Sequence, residues 1–226
     1  SLYSARNKAL NLANGKYITF LDVDDIWFPN KLTLQVNIME SDPGIGFCYC
    51  GFKFLSEYNG NIKSAYNNKN LKSGNITSDL LKKYNVGLLT LMLSKDIIDS
   101  NNIKFDNRFN IMGDMDFVLR VSRVSLGVPI KSDLAIYRKH NNNLSSNLGF
   151  TVKERKIWQN EMLDSELFGK SQLYPFIEET KYLNFRNLIN NNLFSKSLKK
   201  LFALRGIFFI KGLMIFSNKL IASFFP

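Results

Sequence analysis

The residues best suited to chemistry are acids placed just beyond an apolar run. Residues 16–21 read KYITFL, and Asp22-Val23-Asp24-Asp25 follows at once. A short continuous apolar run with β-branched and aromatic members predicts a strand buried on both faces, as in a parallel sheet. Three carboxylates among four residues repel one another unless a cation sits among them. Carboxylate oxygens suit Mg²⁺ or Mn²⁺, which keep some waters and share their remaining positions with substrate phosphates. The same residues also fit a solvated turn in which Asp25 caps the next helix, and the spacing leaves both readings open.

The elements that must position these acids alternate. Residues 4–13 predict a helix with Ser4 as N-cap and Asn14-Gly15 as a stop. Residues 30–39 predict a second helix, with Leu32, Val36 and Met39 on one face, and residues 45–55 a strand. Residues 56–75 read as an exposed loop and 79–84 as a short helix. The run 86–93 reads as a strand, with Ser94 capping a short helix that ends near Ser100. Residues 114–126 read as a helix, 128–137 as a strand, 141–147 as a polar loop, and 151–168 and 176–226 as mostly helical. Helix, strand, acidic loop, helix, strand is the order of an α/β architecture, whose ligands sit beyond the carboxyl ends of the strands.

Charge is unevenly distributed over the 226 residues. Glu179 is the last acid, so residues 1–180 carry a net +3 and residues 181–226 a net +8. Cys48 and Cys50 lie two apart in the 45–55 strand and are expected as buried reduced thiols. With one histidine, they make a disulfide scaffold or a structural zinc site improbable. Reduced thiols and no signal peptide point to the cytoplasm.

The segment SARNKALNLANGKYITFLDVDDIWFPNKLTLQV resembles the family 2 glycosyltransferases, which have the GT-A fold. Ala5-Arg6-Asn7, Gly15-Lys16-Tyr17-Ile18, Phe20 to Asp25, Trp27, Pro29, Lys31-Leu32 and Gln35 match in register. The resemblance implies a mixed GT-A sheet flanked by helices and a nucleotide-diphospho-sugar donor. Asp22 and Asp24 would hold Mg²⁺ or Mn²⁺ against the diphosphate, with Asp24 the direct ligand, and Arg6 and Asn7 would lie near the nucleotide. Asp25 is expected to cap the following helix.

The stretch from Phe109 to Arg120 (FNIMGDMDFVLR) resembles the family's later acidic motif. Asp114 matches the second acid of the usual pair and becomes the expected base, because an inverting transfer requires the acceptor hydroxyl to lose its proton as it attacks. Gly113 stands where the family usually has Glu or another polar residue. Asp116 is expected to pair with Arg120 or support the site. The segment Tyr137-Arg138-Lys139-His140 resembles the stretch after the last sheet strand, so His140 joins Asp22 and Asp24 as a metal candidate. Thr90 is expected to face the acceptor.

The resemblance covers residues 1–148, the later two-thirds of the usual domain, so the first β-α-β unit is expected to be missing and the fragment alone to bind nucleotide-sugar poorly. Residues 149–226 are expected as a helical extension. Its end, residues 193–226, interleaves Lys and Arg with Leu, Phe and Ile, as a cationic amphipathic helix on an anionic membrane surface would. The expected function is a metal-dependent hexosyltransferase of bacterial surface polysaccharide or glycolipid synthesis. It would act on a saccharide or lipid-linked acceptor, at the inner face of the cell membrane. The alternatives are a sugar-nucleotidyltransferase and a non-catalytic membrane or nucleic-acid-binding module. Nucleic acid is disfavoured because no binding motif accompanies the basic residues.

Overall fold

The computed structural model describes residues 2–66, 68–140, 144 and 147–224, with side chains to residue 219. Most of the expected 141–147 loop lies outside the described residues. The chain divides into two compact units, Ser1–Asn143 and Leu144–Pro226.

The first unit is a mixed sheet with helices. Its elements are α1 (Leu2–Leu12), β1 (Tyr17–Ile18), β2 (Ile26–Trp27), α2 (Lys31–Ser41), β3 (Ile45–Ser56), β4 (Ile62–Ser64), α3 (Thr77–Lys82), β5 (Met92–Ser94), α4 (Lys95–Ser100), α5 (Met112–Val124) and β6 (Leu126–Lys139). The strand order is β1-β5-β3-β6-β2, and β4 pairs with the later part of β3. Only the long central β3–β6 pair is parallel, and the other pairs are antiparallel. The first six residues of β3 (IGFCYC) are all buried because β5 and β6 flank that part of the strand and helices cover it. Cys48 and Cys50 are both buried and free, and burial pushes their thiols up to about 12 and about 11.

Two expected strands are shorter than their apolar runs. In residues 16–21 only Tyr17 and Ile18 join the ladder, antiparallel to β5 rather than in a parallel pair. The chain then leaves the sheet, and the Phe20 ring packs edge-on against Phe105 and Phe117. In residues 86–93 the chain makes a 3₁₀ turn at Leu88–Thr90 before β5 begins. That turn is held from outside: Trp27 Nε1 donates to the Leu89 carbonyl and Gln35 Nε2 to the Thr90 carbonyl, each at 2.8 Å. Continuous hydrophobicity reports burial, and a buried turn reads the same as a buried strand.

The residue that anchors this layer is Lys31, which is completely buried. Its Nζ donates to Gln35 Oε1 at 2.7 Å and sits 4.0 Å from the Trp27 ring centroid. Burial pushes its ammonium down to about 8 from an ordinary 10.5. Between those values the unfolded chain holds a proton that the folded chain lacks, so this contribution to stability rises with pH. The buried thiols act in the opposite sense above about pH 8.5, so the lysine is isolated by comparison with Lys31→Met. From pH 7.5 to 10 the unfolding free energy of the wild type should gain about 2 kcal/mol relative to the variant in urea titrations. A pH-independent difference would refute this.

The second unit is helical: α6 (Leu148–Asp164), α7 (Lys170–Asn190), α8 (Phe194–Leu201) and α9 (Gly206–Phe224). Trp158 of α6 packs on Phe168 and Phe176. Buried Arg155 ties α6 to α7, donating from Nε to Thr180 Oγ1 at 2.9 Å and from Nη2 to Glu179 Oε2 at 2.7 Å. Phe185, Ile189, Leu201 and Leu204 form a second small core that Phe208, Phe209, Ile215 and Phe216 of α9 cover. Among the described residues, no helix is long and apolar enough to cross a membrane.

Candidate active site

Helix α1 presents Tyr3, Arg6 and Asn7 on one face, as i, i+3 and i+4 spacing requires. The face lies against the segment leading into α5. The Tyr3 ring stacks on Phe105 at 5.3 Å, and Phe105 stacks on Phe117 of α5 at 4.0 Å. Asn7 locks the same junction: its Nδ2 donates to the Phe105 carbonyl at 2.8 Å, and its Oδ1 accepts from the Phe105 N–H at 2.9 Å. The structure therefore shows Asn7 as a backbone tie, engaged at both ends of its amide.

Arg6 joins the two acidic segments. Nη2 donates to Asp22 Oδ1 at 2.8 Å and Nη1 to Asp114 Oδ1 at 2.7 Å, while the Arg6 side chain is only 9% exposed. One planar guanidinium thus spans two carboxylates that are 92 residues apart in the chain. Burial is the main cause that pushes the Asp114 carboxyl up to about 6; Arg6 opposes it and nearby Asp22 adds to it.

Gly113, the departure in the later acidic motif, has a steric cause. A Cβ there would lie 2.4–2.8 Å from atoms of the Tyr3 ring. The Tyr3 ring occupies the space next to Asp114, and the Asp114 N–H donates to the Tyr3 hydroxyl at 3.2 Å. Sequence reasoning passed over Tyr3, and also Tyr84. The Tyr84 hydroxyl is buried without a hydrogen-bond partner and lies within electrostatic reach of Asp114 and Tyr3. The sequence signal for Tyr3 was its spacing, one helical turn before Arg6; nothing local marked Tyr84.

The other end of the acidic loop hangs on β6. His140 Nε2 lies 3.1 Å from Asp24 Oδ2, and Arg138 Nε donates to the Asp24 carbonyl at 2.9 Å. Asp25 does not cap α2. Its Oδ1 accepts from the Arg138 N–H at 3.0 Å, and Asn30 holds the N-cap position without a side-chain cap bond. Asp25 is buried beside two other carboxylates, and its carboxyl is pushed up to about 6, chiefly by burial. The expected metal residues divide into two pairs, with Asp22 on Arg6 and Asp24 on His140. Among the described residues, no group of three or more His, Cys, Asp or Glu side chains is placed to hold a metal.

Asp116 is 2% exposed and accepts from Arg120 Nε at 2.7 Å, which pins Arg120 along α5. Thr90 does not face an acceptor. It is fully buried, and its hydroxyl donates to the Gly87 carbonyl at 2.6 Å, because the 3₁₀ turn directs it inward.

The sequence pattern of glycosyl transferase family 2 matches residues 1–98, which include α1, the acidic loop and the Lys31–Gln35 layer. The chain belongs to glycosyltransferase family 2.

Relatives place this family 2 chain among glycan-building enzymes. It is 34% identical over 102 residues to the Escherichia coli UDP-Glc:alpha-D-GlcNAc-diphosphoundecaprenol beta-1,3-glucosyltransferase WfgD, covering 45% of this chain and 38% of WfgD. It is 31% identical over 158 residues to TuaG of Bacillus subtilis, a glycosyltransferase named for teichuronic acid biosynthesis, covering 68% of this chain and 58% of TuaG. The chain thus spans between about two-fifths and three-fifths of the length of these relatives. The crystal structure of S. aureus TarS residues 1–349 with UDP-GlcNAc matches 95% of this chain and 60% of that one, at a TM-score of 0.56 and 14% identity. The fold of this family 2 protein is therefore the GT-A mixed α/β architecture, as the resemblance implied.

Proposed function

We propose that the protein transfers a sugar, with inversion, from a nucleotide-diphospho-sugar to a hydroxyl of a saccharide or lipid-linked acceptor in surface polysaccharide or glycolipid synthesis. The observation that carries this reading is the Arg6 bridge, which places a carboxylate from the first acidic motif and one from the second on a single guanidinium. Asp114 is the base. Its carboxylate takes the proton of the acceptor hydroxyl as that oxygen bonds to the anomeric carbon, and the bond from that carbon to the donor phosphate breaks with its electron pair leaving on the diphosphate. The unpartnered Tyr84 hydroxyl is a further group for the acceptor side. The names of WfgD and of the TarS complex make UDP-sugars the first donors to test.

The donor set fits a divalent ion shared with substrate rather than a closed protein cage. Asp24 offers carboxylate oxygen, His140 imidazole nitrogen and Asp22 a second carboxylate, and Mg²⁺ or Mn²⁺ needs only one or two such ligands when diphosphate oxygens supply others. When bound, the ion neutralises the charge that develops on the leaving diphosphate. Arg138, donating to the Asp24 carbonyl and to Asp25, holds the loop so that Asp24 keeps its place. With Asp24→Asn in the full-length protein, calorimetric titration with UDP-sugar and Mn²⁺ should show affinity falling at least tenfold. Unchanged affinity would exclude Asp24 from the donor site.

The same reading puts the protein at the inner face of an anionic membrane. Helix α9 has one face on the second core, yet Ile207, Ile210, Leu213 and Met214 remain 44–62% exposed on it. An apolar outer face beside eight cations and no acids after Glu179 fits a lipid headgroup boundary. Ile210→Glu with Met214→Glu should abolish flotation with phosphatidylglycerol vesicles. Flotation equal to wild type would end the membrane reading.

A further inference from the structure

A pocket in the helical unit has the chemistry of an anion site. It lies between α6, α7 and α8 and has a volume of about 170 Å³. Liquid water occupies about 30 Å³ per molecule, so a hydrated polar group fits inside. Lys156 and Gln159 face it from α6, Lys181 and Asn184 from α7, and Lys200 from α8. The first two pairs are each spaced i, i+3, which puts both members on one helix face. Three lysines from three helices thus converge on one space, and no carboxylate lines it.

The local hydrogen bonding leaves these groups available. Lys181 Nζ donates to Glu178 Oε1 at 2.7 Å, a partner on its own helix. Among the described residues, Lys156 and Lys200 enter no ion pair. Gln159 Oε1 is buried with no hydrogen-bond partner, an arrangement that folded proteins seldom leave unfilled. Turning that amide over presents its NH₂ group to the same space. Converging ammonium groups with amide donors suit a compact, multiply charged oxyanion.

We propose that the α6–α7–α8 pocket binds a phosphate group through Lys156, Lys181 and Lys200, with Gln159 and Asn184 as amide donors. The phosphate comes either from a lipid headgroup or from a soluble phosphate compound. The site lies outside the acidic centre and requires no transfer activity, so its failure and that of the transferase reading are separable.

The test has two arms on the full chain, with Lys156→Ala/Lys200→Ala as the pocket variant. Lys153→Ala/Lys170→Ala removes the same charge from exposed positions of the same unit that do not line the pocket. In the vesicle arm, the pocket variant should lose about twentyfold in partitioning to phosphatidylglycerol vesicles, well beyond the control variant. In the soluble arm, wild type and control should bind inorganic phosphate by calorimetric titration and the pocket variant should not. Phosphate binding lost in the pocket variant, with equal vesicle losses in both variants, assigns the site to a soluble phosphate and rejects the lipid source. If neither arm separates the pocket variant from the control, the site is refuted. Lys156→Arg/Lys200→Arg should restore binding, and circular dichroism should show unchanged helix content throughout.

Discussion

Asp114→Asn should lower the rate of sugar transfer by about 10²- to 10⁴-fold while leaving donor affinity nearly unchanged. The substitution is close to a single-atom test. An Asn Oδ1 still accepts from Arg6 Nη1, and the backbone N–H still reaches the Tyr3 hydroxyl, so the junction of α1 with α5 keeps its hydrogen bonds. What disappears is the capacity to take a proton. With the Asp114 carboxyl pushed up to about 6, the base is in its working form above that pH. The wild-type kcat/KM should therefore fall on the acid side of about pH 6, and this limb should be absent from the residual activity of the variant. Transfer retained at the wild-type rate would remove Asp114 as the base and leave it as a structural acid in the first turn of α5.

Arg6→Leu should have the second largest effect, through position rather than contact with the reacting atoms. Arg6 is the cause that holds the Asp114 carboxyl down against burial and against Asp22. Without it, the carboxyl moves further up, and the acid limb of kcat/KM shifts to higher pH. Near neutral pH activity should drop about tenfold for each unit of that shift and recover in alkaline buffer. A stability loss of about 2 kcal/mol should accompany it, smaller than for a fully buried triad because the Asp22 side chain is half exposed. Arg6→Lys keeps the charge but replaces a fork by a point, so it should restore most of the stability and little of the pH profile. An acid limb that stays in place in Arg6→Leu would show that the bridge is structural only.

The match of residues 1–98 to the family was legible because its information is local. The acidic loop follows its short strand, Trp27, Lys31 and Gln35 recur at helical spacing, and Ser94 caps α4 as its position predicted. The mixed α/β class, the helical C-terminal region and the separation of charge near Glu179 were legible for the same reason. Periodicity and capping depend on residues within a few positions of one another.

Side-chain partners are another matter. Arg6 meets Asp114 across 108 residues, Asp24 meets His140 across 116, and the Arg138 N–H meets Asp25 across 113. No local pattern encodes such pairs. Read alone, Asp25 had the right type and place for a helix cap, Thr90 for an acceptor contact and Asn7 for a nucleotide contact. Packing assigned all three to backbone partners, because a buried polar group must find a hydrogen bond and the nearest unsatisfied N–H or carbonyl was supplied by another element. The sequence by itself determined which residues can do chemistry and which elements carry them. Only the tertiary structure decided that Arg6 joins the two acids, that Tyr3 takes the space beside Gly113, and that three lysines from three helices share one pocket. Those outcomes depend on the distances between elements, which the sheet order and the helix packing set.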